Sequence, residues 1–237
     1  MKYGGMPYLI HLELTDDIVY EYLRNIYHSI ILKDLVERFK IRNVAMLERL
    51  VLYLADNIGS FTSANRISDY LKSQRLELSP KVILDYLSWL TRVYIVTGIK
   101  RTGLKDRKIF ENGEKYFFED TGMRNSLIPF NQNDIQKLLE NLVFSHLIFL
   151  GYTITIGKLA DKEIDFVADR HDERIYVQVA YLLTTEQTRN REFGNLLEIG
   201  DNYPKYVVSM DEFAAGNQQG IKHLHIRDFL TRKSFQT

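Results

Sequence analysis

The stretch from Asn133 to Leu182 most restricts what this chain can fold into. Asn133 to about Leu150 reads as a helix, with Leu138, Leu139, Leu142, Val143, Leu147 and Ile148 on a broad apolar face, and Gly151 stops it. Three β-type runs follow in quick order: Thr153–Ile156, Glu163–Ala168 and Ile175–Leu182. Glu186 to Ile199 then reads as a helix, and Tyr206–Ser209 and His223–Ile226 as strands. Helix, three strands, helix, strand is an α/β plan, a mixed sheet flanked by helices.

The residues before it are mostly helical. Ile18, Tyr22, Ile26 and Ile30 recur at i+4 behind Asp16-Asp17. Asn43 can cap a second helix that turns Val44, Leu47, Val51 and Leu54 inward; Ser63 can cap a short third with Ile67, Tyr70 and Leu71 inward. Ser79-Pro80 opens a fourth that buries Val82, Ile83, Tyr86, Leu87 and Leu90. Tyr94–Ile99 and Lys115–Phe118 read as strands around a charged turn, Lys100–Lys108. This is the order of a winged helix-turn-helix, with Ala64–Ser73 as its first helix and Pro80–Thr91 as the recognition-type helix. Lys100, Arg101, Lys105, Arg107 and Lys108 on the turn, with Lys81 and Arg92 on the helix, are the candidate phosphate contacts. Only Asp85 and Ser88 add polar groups to that helix face, so DNA binding and protein docking are both expectations for this module. The expected organisation is a linker over 1–15, a winged-helix domain over 16–124 and a sheet domain over 125–237, α+β overall, with the break near 120–132.

Composition removes several classes. At 237 residues, 45% apolar and 26% charged, the chain is globular rather than disordered or collagen-like. Lys+Arg and Asp+Glu are 31 each, so any nucleic-acid contact must come from a local patch. Cysteine is absent, which excludes disulfides, thiolate zinc sites and cysteine nucleophiles and fits a cytoplasmic chain. The most apolar stretch, Leu138–Leu150, is interrupted by Glu140, Asn141, Ser145 and His146, well short of the roughly 18 apolar residues of a membrane span. Met1–Pro7 lacks the apolar region of a signal peptide, so no membrane contact is expected.

Few motifs carry chemistry. Gly98–Lys105 comes nearest to a phosphate loop, but Leu104 stands where the lysine belongs and Lys105 where Ser or Thr belongs, so ATP binding is not expected. His223 and His225 share one strand face, a pairing more often structural than metal-binding. The constellation of interest is Glu140, Asp165 and Gln178. Alternation puts Glu163 and Asp165 on one strand face, and Arg174, Tyr176, Gln178 and Ala180 together on the next strand. Glu140 lies within an apolar helix face and needs a cation or hydrogen-bond donors. A Mg²⁺ shared with Asp165 would meet that need, and so would backbone N–H groups or Asn141.

Asp120-Thr121-Gly122-Met123-Arg124, Glu140–Phe144, Gly157–Leu159 with Glu163–Val167, and Gln178–Tyr181 together resemble the C-terminal region of a prokaryotic AAA+ ATPase family, the DUF4143 module. Tyr3–Pro7 resembles the segment that follows the ATPase core in such proteins. The resemblance covers essentially the whole chain. It implies an ATPase core as partner, with ATP bound only there, and a PD-(D/E)XK nuclease-like fold for the second half. In that pattern Glu140 matches the helix carboxylate and Asp165 the central aspartate, while the acidic-x-Lys of the third strand has become Gln178-Val179-Ala180. With one anionic ligand and the ammonium lost, Mg²⁺ at Glu140 and Asp165 is expected to be weak or absent, and no other cofactor is expected. Glu163 is the possible substitute carboxylate, and Lys158 or Lys162 the substitute cation. The expected function is a non-catalytic accessory region that recognises or tethers DNA. The alternatives are an active Mg²⁺-dependent DNA endonuclease and a protein-interaction platform for the ATPase.

Overall fold

The structure is a computed structural model that describes residues 1–104, 109–212 and 216–235. The chain is mixed α/β and divides into two compact units, residues 1–98 with 112–132 and residues 99–111 with 133–237. No helix among the described residues is long and apolar enough to cross a membrane.

In the first unit, α1 (Asp16–Ser29) continues into a π-helical stretch, Ile30–Glu37. α2 (Val44–Asp56), β1 (Phe61–Thr62), α3 (Ala64–Ser73) and α4 (Pro80–Arg92) follow. Asn43, Ser63 and Ser79 accept hydrogen bonds from the N–H groups of Met46, Arg66 and Val82, so each cap forms where its residue type is favoured. β2 (Val96–Gly103), which belongs to the second unit from Ile99 on, and β3 (Ile109–Phe118), which belongs to the first from residue 112 on, come next, then α5 (Thr121–Leu127). β1 pairs antiparallel with β3, Phe61 opposite Lys115. The core joins Leu47, Leu50 and Leu54 of α2 to Ile67, Leu71, Ile83 and Leu90.

Two expectations change here, on Tyr70 and on Lys100 with Arg101. α1 buries Val19, Leu23 and Tyr27, whereas Ile18 is 39% exposed. Two apolar i+4 stripes lie one residue apart on this helix, and Leu9 packs on the Val19–Leu23 stripe. Tyr70 is largely exposed, its ring leaning on Tyr53 at 4.8 Å between centroids. Lys100 and Arg101 lie within β2 rather than on a turn, because both strands run longer than their apolar cores. Lys105, Arg107 and Lys108 lie outside the described residues.

Two motifs of the first unit are halves of one clamp. Asp120 caps α5 by accepting from the Met123 N–H at 2.8 Å, and its other oxygen accepts from the Gly5 N–H at 2.7 Å. Thr121 Oγ1 donates to the Met1 carbonyl at 3.0 Å, and Asn125 Nδ2 to the Lys2 carbonyl at 2.8 Å. The approach is close enough that a Cβ on Gly122 would lie 2.0 Å from the Tyr3 carbonyl oxygen. The buried Arg124 guanidinium reaches the Ala55 carbonyl at the end of α2 at 2.9 Å.

The second unit holds α6 (Ile135–Phe149), β4 (Thr153–Leu159), β5 (Lys162–Arg170), β6 (Glu173–Val179), α7 (Glu186–Leu197), β7 (Lys205–Ser209), β8 (Gly216–Gln218), β9 (Ile221–His225) and α8 (Ile226–Thr231). β4, β5 and β6 form an antiparallel meander. The Arg101–Gly103 end of β2 runs parallel to β4. β7 joins β6 in parallel, β9 joins β7 in parallel, and β8 closes on β9 antiparallel. Phe193 and Leu196 of α7 pack on Ile164, Val167, Tyr176 and Val207. Thr155 stands opposite Val167 but Gly157 opposite Ile164, so β5 carries one extra residue at Asp165–Phe166. A Cβ on Gly157 would lie 2.9 Å from Ile164, which is why glycine faces the bulge.

Candidate functional site

Regular pairing of β5 with β6 ends at Phe166 opposite Val177. The next step is made by side chains. The Val179 N–H donates to Asp165 Oδ2 at 2.8 Å, and the Asp165 N–H donates to Gln178 Oε1 at 3.3 Å. Both residues are buried. Asp165 and Gln178 therefore lie side by side on neighbouring strands, each serving the backbone of the other strand where the two begin to part.

Helix α6 reaches the same point through Gln136, a residue the sequence reading passed over. Its Nε2 donates to the Val179 carbonyl at 2.8 Å and to Glu140 Oε1 at 3.0 Å, and its Oε1 accepts from the Tyr181 N–H at 2.6 Å. The amide thus satisfies the end of β6 much as a further strand would. Its one sequence signal is its place a helical turn before Glu140. The two carboxylates meet one residue from opposite sides: Asp165 holds the Val179 N–H, and Glu140 is tied through Gln136 to the Val179 carbonyl.

The possible substitutes have other partners. Glu163 Oε2 lies 3.6 Å from Arg101, and its carbonyl accepts from Asn195 of α7 at 3.3 Å. Lys162 is bonded to Glu198, the residue that ends α7, and Lys158 stands opposite Glu163 in the β4–β5 register. Ala180, where the nuclease pattern has its lysine, is 3% exposed among Leu183, Phe193 and Tyr176.

The two histidines of β9 have separate roles. His225 Nδ1 accepts from the Arg227 N–H at the start of α8. His223 Nε2 lies 2.8 Å from Ser209 Oγ. Asp211 Oδ2 takes the Ser209 hydroxyl proton at 3.1 Å and the Leu183 N–H at 2.8 Å, which assigns the Nε2 proton to His223 as donor. Burial holds the His223 imidazole below its ordinary value. Among the described residues, no group of three or more His, Asp or Glu side chains is arranged to hold a metal ion.

Of the candidate phosphate contacts, Lys81, Arg92 and Lys100 are exposed, whereas Arg101 is half-buried beside Glu163.

Residues 1–134 match a family model described as a domain of unknown function, DUF8612. An uncharacterized protein of Haemophilus influenzae is 34% identical over 230 residues, 97% of this chain and 56% of that protein. The uncharacterized protein MJ1544 of Methanocaldococcus jannaschii is 28% identical over 199 residues, 81% of this chain and 43% of its own. The chain thus spans about half the length of the curated relatives it matches. Among solved structures, the crystal structure of protein VC1899 from Vibrio cholerae aligns with 79% of this chain and 50% of its own, at 13% identity and a TM-score of 0.26.

Proposed function

We propose that this chain, which belongs to the DUF8612 family, is an accessory region of a larger protein that binds and tethers rather than cuts. In this reading the second unit is a PD-(D/E)XK-type nuclease fold without its chemistry. The observation that carries it is the parting of β5 and β6. A metal-dependent nuclease needs carboxylates free to face a hard cation and an ammonium beside the attacking water. Here Asp165 accepts from the Val179 N–H, its neighbour Gln178 is a neutral amide, and Ala180 is a methyl group in an apolar cluster. The bonds that would have to be given up to bind Mg²⁺ are those that join the strands.

The order α3, α4, β2, β3 supports a winged helix-turn-helix reading of the first unit. The ordered motifs support descent from the C-terminal region of an AAA+ ATPase, with ATP held by a separate core. DNA as the tethered partner is a second reading, favoured by the exposed Lys81 and Arg92 on α4.

Supercoiled plasmid incubated with the chain and Mg²⁺ or Mn²⁺ should survive intact, with Asp165→Ala indistinguishable from the parent. Cutting that Asp165→Ala abolishes would overturn the non-catalytic reading. A 20-base-pair duplex titrated at several salt concentrations tests the DNA reading, since phosphate contacts make log affinity fall linearly with log salt.

A further inference from the structure

We infer that the groove between α4 and the adjoining residues of β2 and β3 in the first unit receives an arginine or lysine side chain of a partner protein. This rests on the reading of the chain as a binding region. Leu84, Leu87, Ser88 and Thr91 of α4 form one stripe along a cavity of about 450 Å³. Leu84 is 58% exposed on a helix that buries Ile83, Leu87 and Leu90. The opposite wall holds a carboxylate. A Cβ on Gly98 would lie 2.3 Å from Glu114 Oε2, so the glycine leaves the space that Glu114 occupies. Tyr116 donates its O–H to the same oxygen at 2.7 Å, and its ring is buried. Among the described residues Glu114 forms no ion pair; Arg92 also lines the cavity without pairing to it.

An exposed leucine beside a carboxylate that Tyr116 fixes and that no described residue pairs with matches one kind of side chain. A long aliphatic stem covers the exposed Leu84 while its cationic head bonds Glu114. A DNA phosphate approaching the same groove is drawn by Arg92 but meets the Glu114 carboxylate and an exposed leucine, which favours a protein occupant over nucleic acid.

The probe is N-acetyl-arginine amide, with N-acetyl-citrulline amide as its neutral isostere, titrated into ¹⁵N-labelled full chain by NMR. The arginine amide should shift the backbone signals of Gly98 and Tyr116, and citrulline should leave them in place. Glu114→Gln should weaken the arginine amide on the order of tenfold, the loss expected for one charge-assisted hydrogen bond. Tyr116→Phe keeps the charge but releases the carboxylate, and should weaken binding by a smaller factor. It also serves as the test if Glu114→Gln does not fold. Equal shifts from both amides, shifts elsewhere, or unchanged affinity in a folded variant would overturn the inference. So would a 20-base-pair duplex that shifts α4 and binds more tightly to Glu114→Gln. Metal-dependent cutting lost in Asp165→Ala would instead refute the non-catalytic reading and leave the arginine result standing.

Discussion

Asp165→Ala should destabilise the second unit although the non-catalytic reading gives the residue no substrate. The substitution removes the acceptor of the Val179 N–H, a 2.8 Å bond to a buried carboxylate. A buried N–H left without an acceptor costs about 1–3 kcal/mol, and loss of a bond to a charged group lies toward the upper end of that range. The expected loss is therefore about 2–3 kcal/mol. Asp165→Asn keeps an oxygen for Val179 and forfeits only the charge, so it should lose about 1 kcal/mol. Gln178→Ala removes the longer 3.3 Å bond from the Asp165 N–H and should likewise lose about 1 kcal/mol. The double variant should lose less than the sum by roughly 0.5–1 kcal/mol, because strands already parted have less left to lose. Urea unfolding followed by far-UV circular dichroism gives the totals, and amide exchange at Val179 gives the local opening. A loss under about 0.5 kcal/mol for Asp165→Ala, or Asn no better than Ala, would refute the reasoning.

Gln178→Glu alone sets a second carboxylate beside Asp165, a repulsion of about 3 kcal/mol at roughly 5 Å and an effective dielectric of about 20. Its melting temperature should fall at pH 7 and recover in millimolar Mn²⁺, and a loss indifferent to Mn²⁺ would count against a latent cation site. Ala180→Lys, the other half of the nuclease pattern, drives an ammonium among Leu183, Phe193 and Tyr176, so the thermal melt should show a loss of several kcal/mol. Gly122→Ala forces a methyl group onto the Tyr3 carbonyl, costs about 1–3 kcal/mol, and should speed proteolysis of the first five residues; equal cleavage rates would deny the clamp. Burial lowers the imidazoles of His223 and His146 below the ordinary 6.5, so the neutral forms stabilise the fold fully above that pH. Stability should fall as pH drops from 6.5 through their lowered values, and His223→Gln should flatten the slope of melting temperature against pH.

What this sequence determined by itself is local. Asn43, Ser63 and Ser79 cap the helices they precede, since a cap needs only its own residue and the N–H three positions on. α6, α7 and the meander strands fall close to where periodicity puts them, because a sheet face and a helix stripe repeat within a few residues. The neighbourhood of Asp165 and Gln178 was likewise legible from strand order. Only the tertiary structure decided which stripe of α1 is fully buried, because Tyr22, Ile26 and Ile30 of the neighbouring stripe also pack on the core and the two differ just in how closely it covers them. It decided that Asp120-Thr121-Gly122 is the seat of the first five residues, a contact between positions some 115 residues apart that no local pattern encodes. It decided, too, that Arg101 meets Glu163 and that Gln136 links Glu140 to Val179. Side-chain chemistry can be read from a sequence, but which groups satisfy one another is set by long-range register, a bulge and a helix end that exist only once the chain has closed on itself.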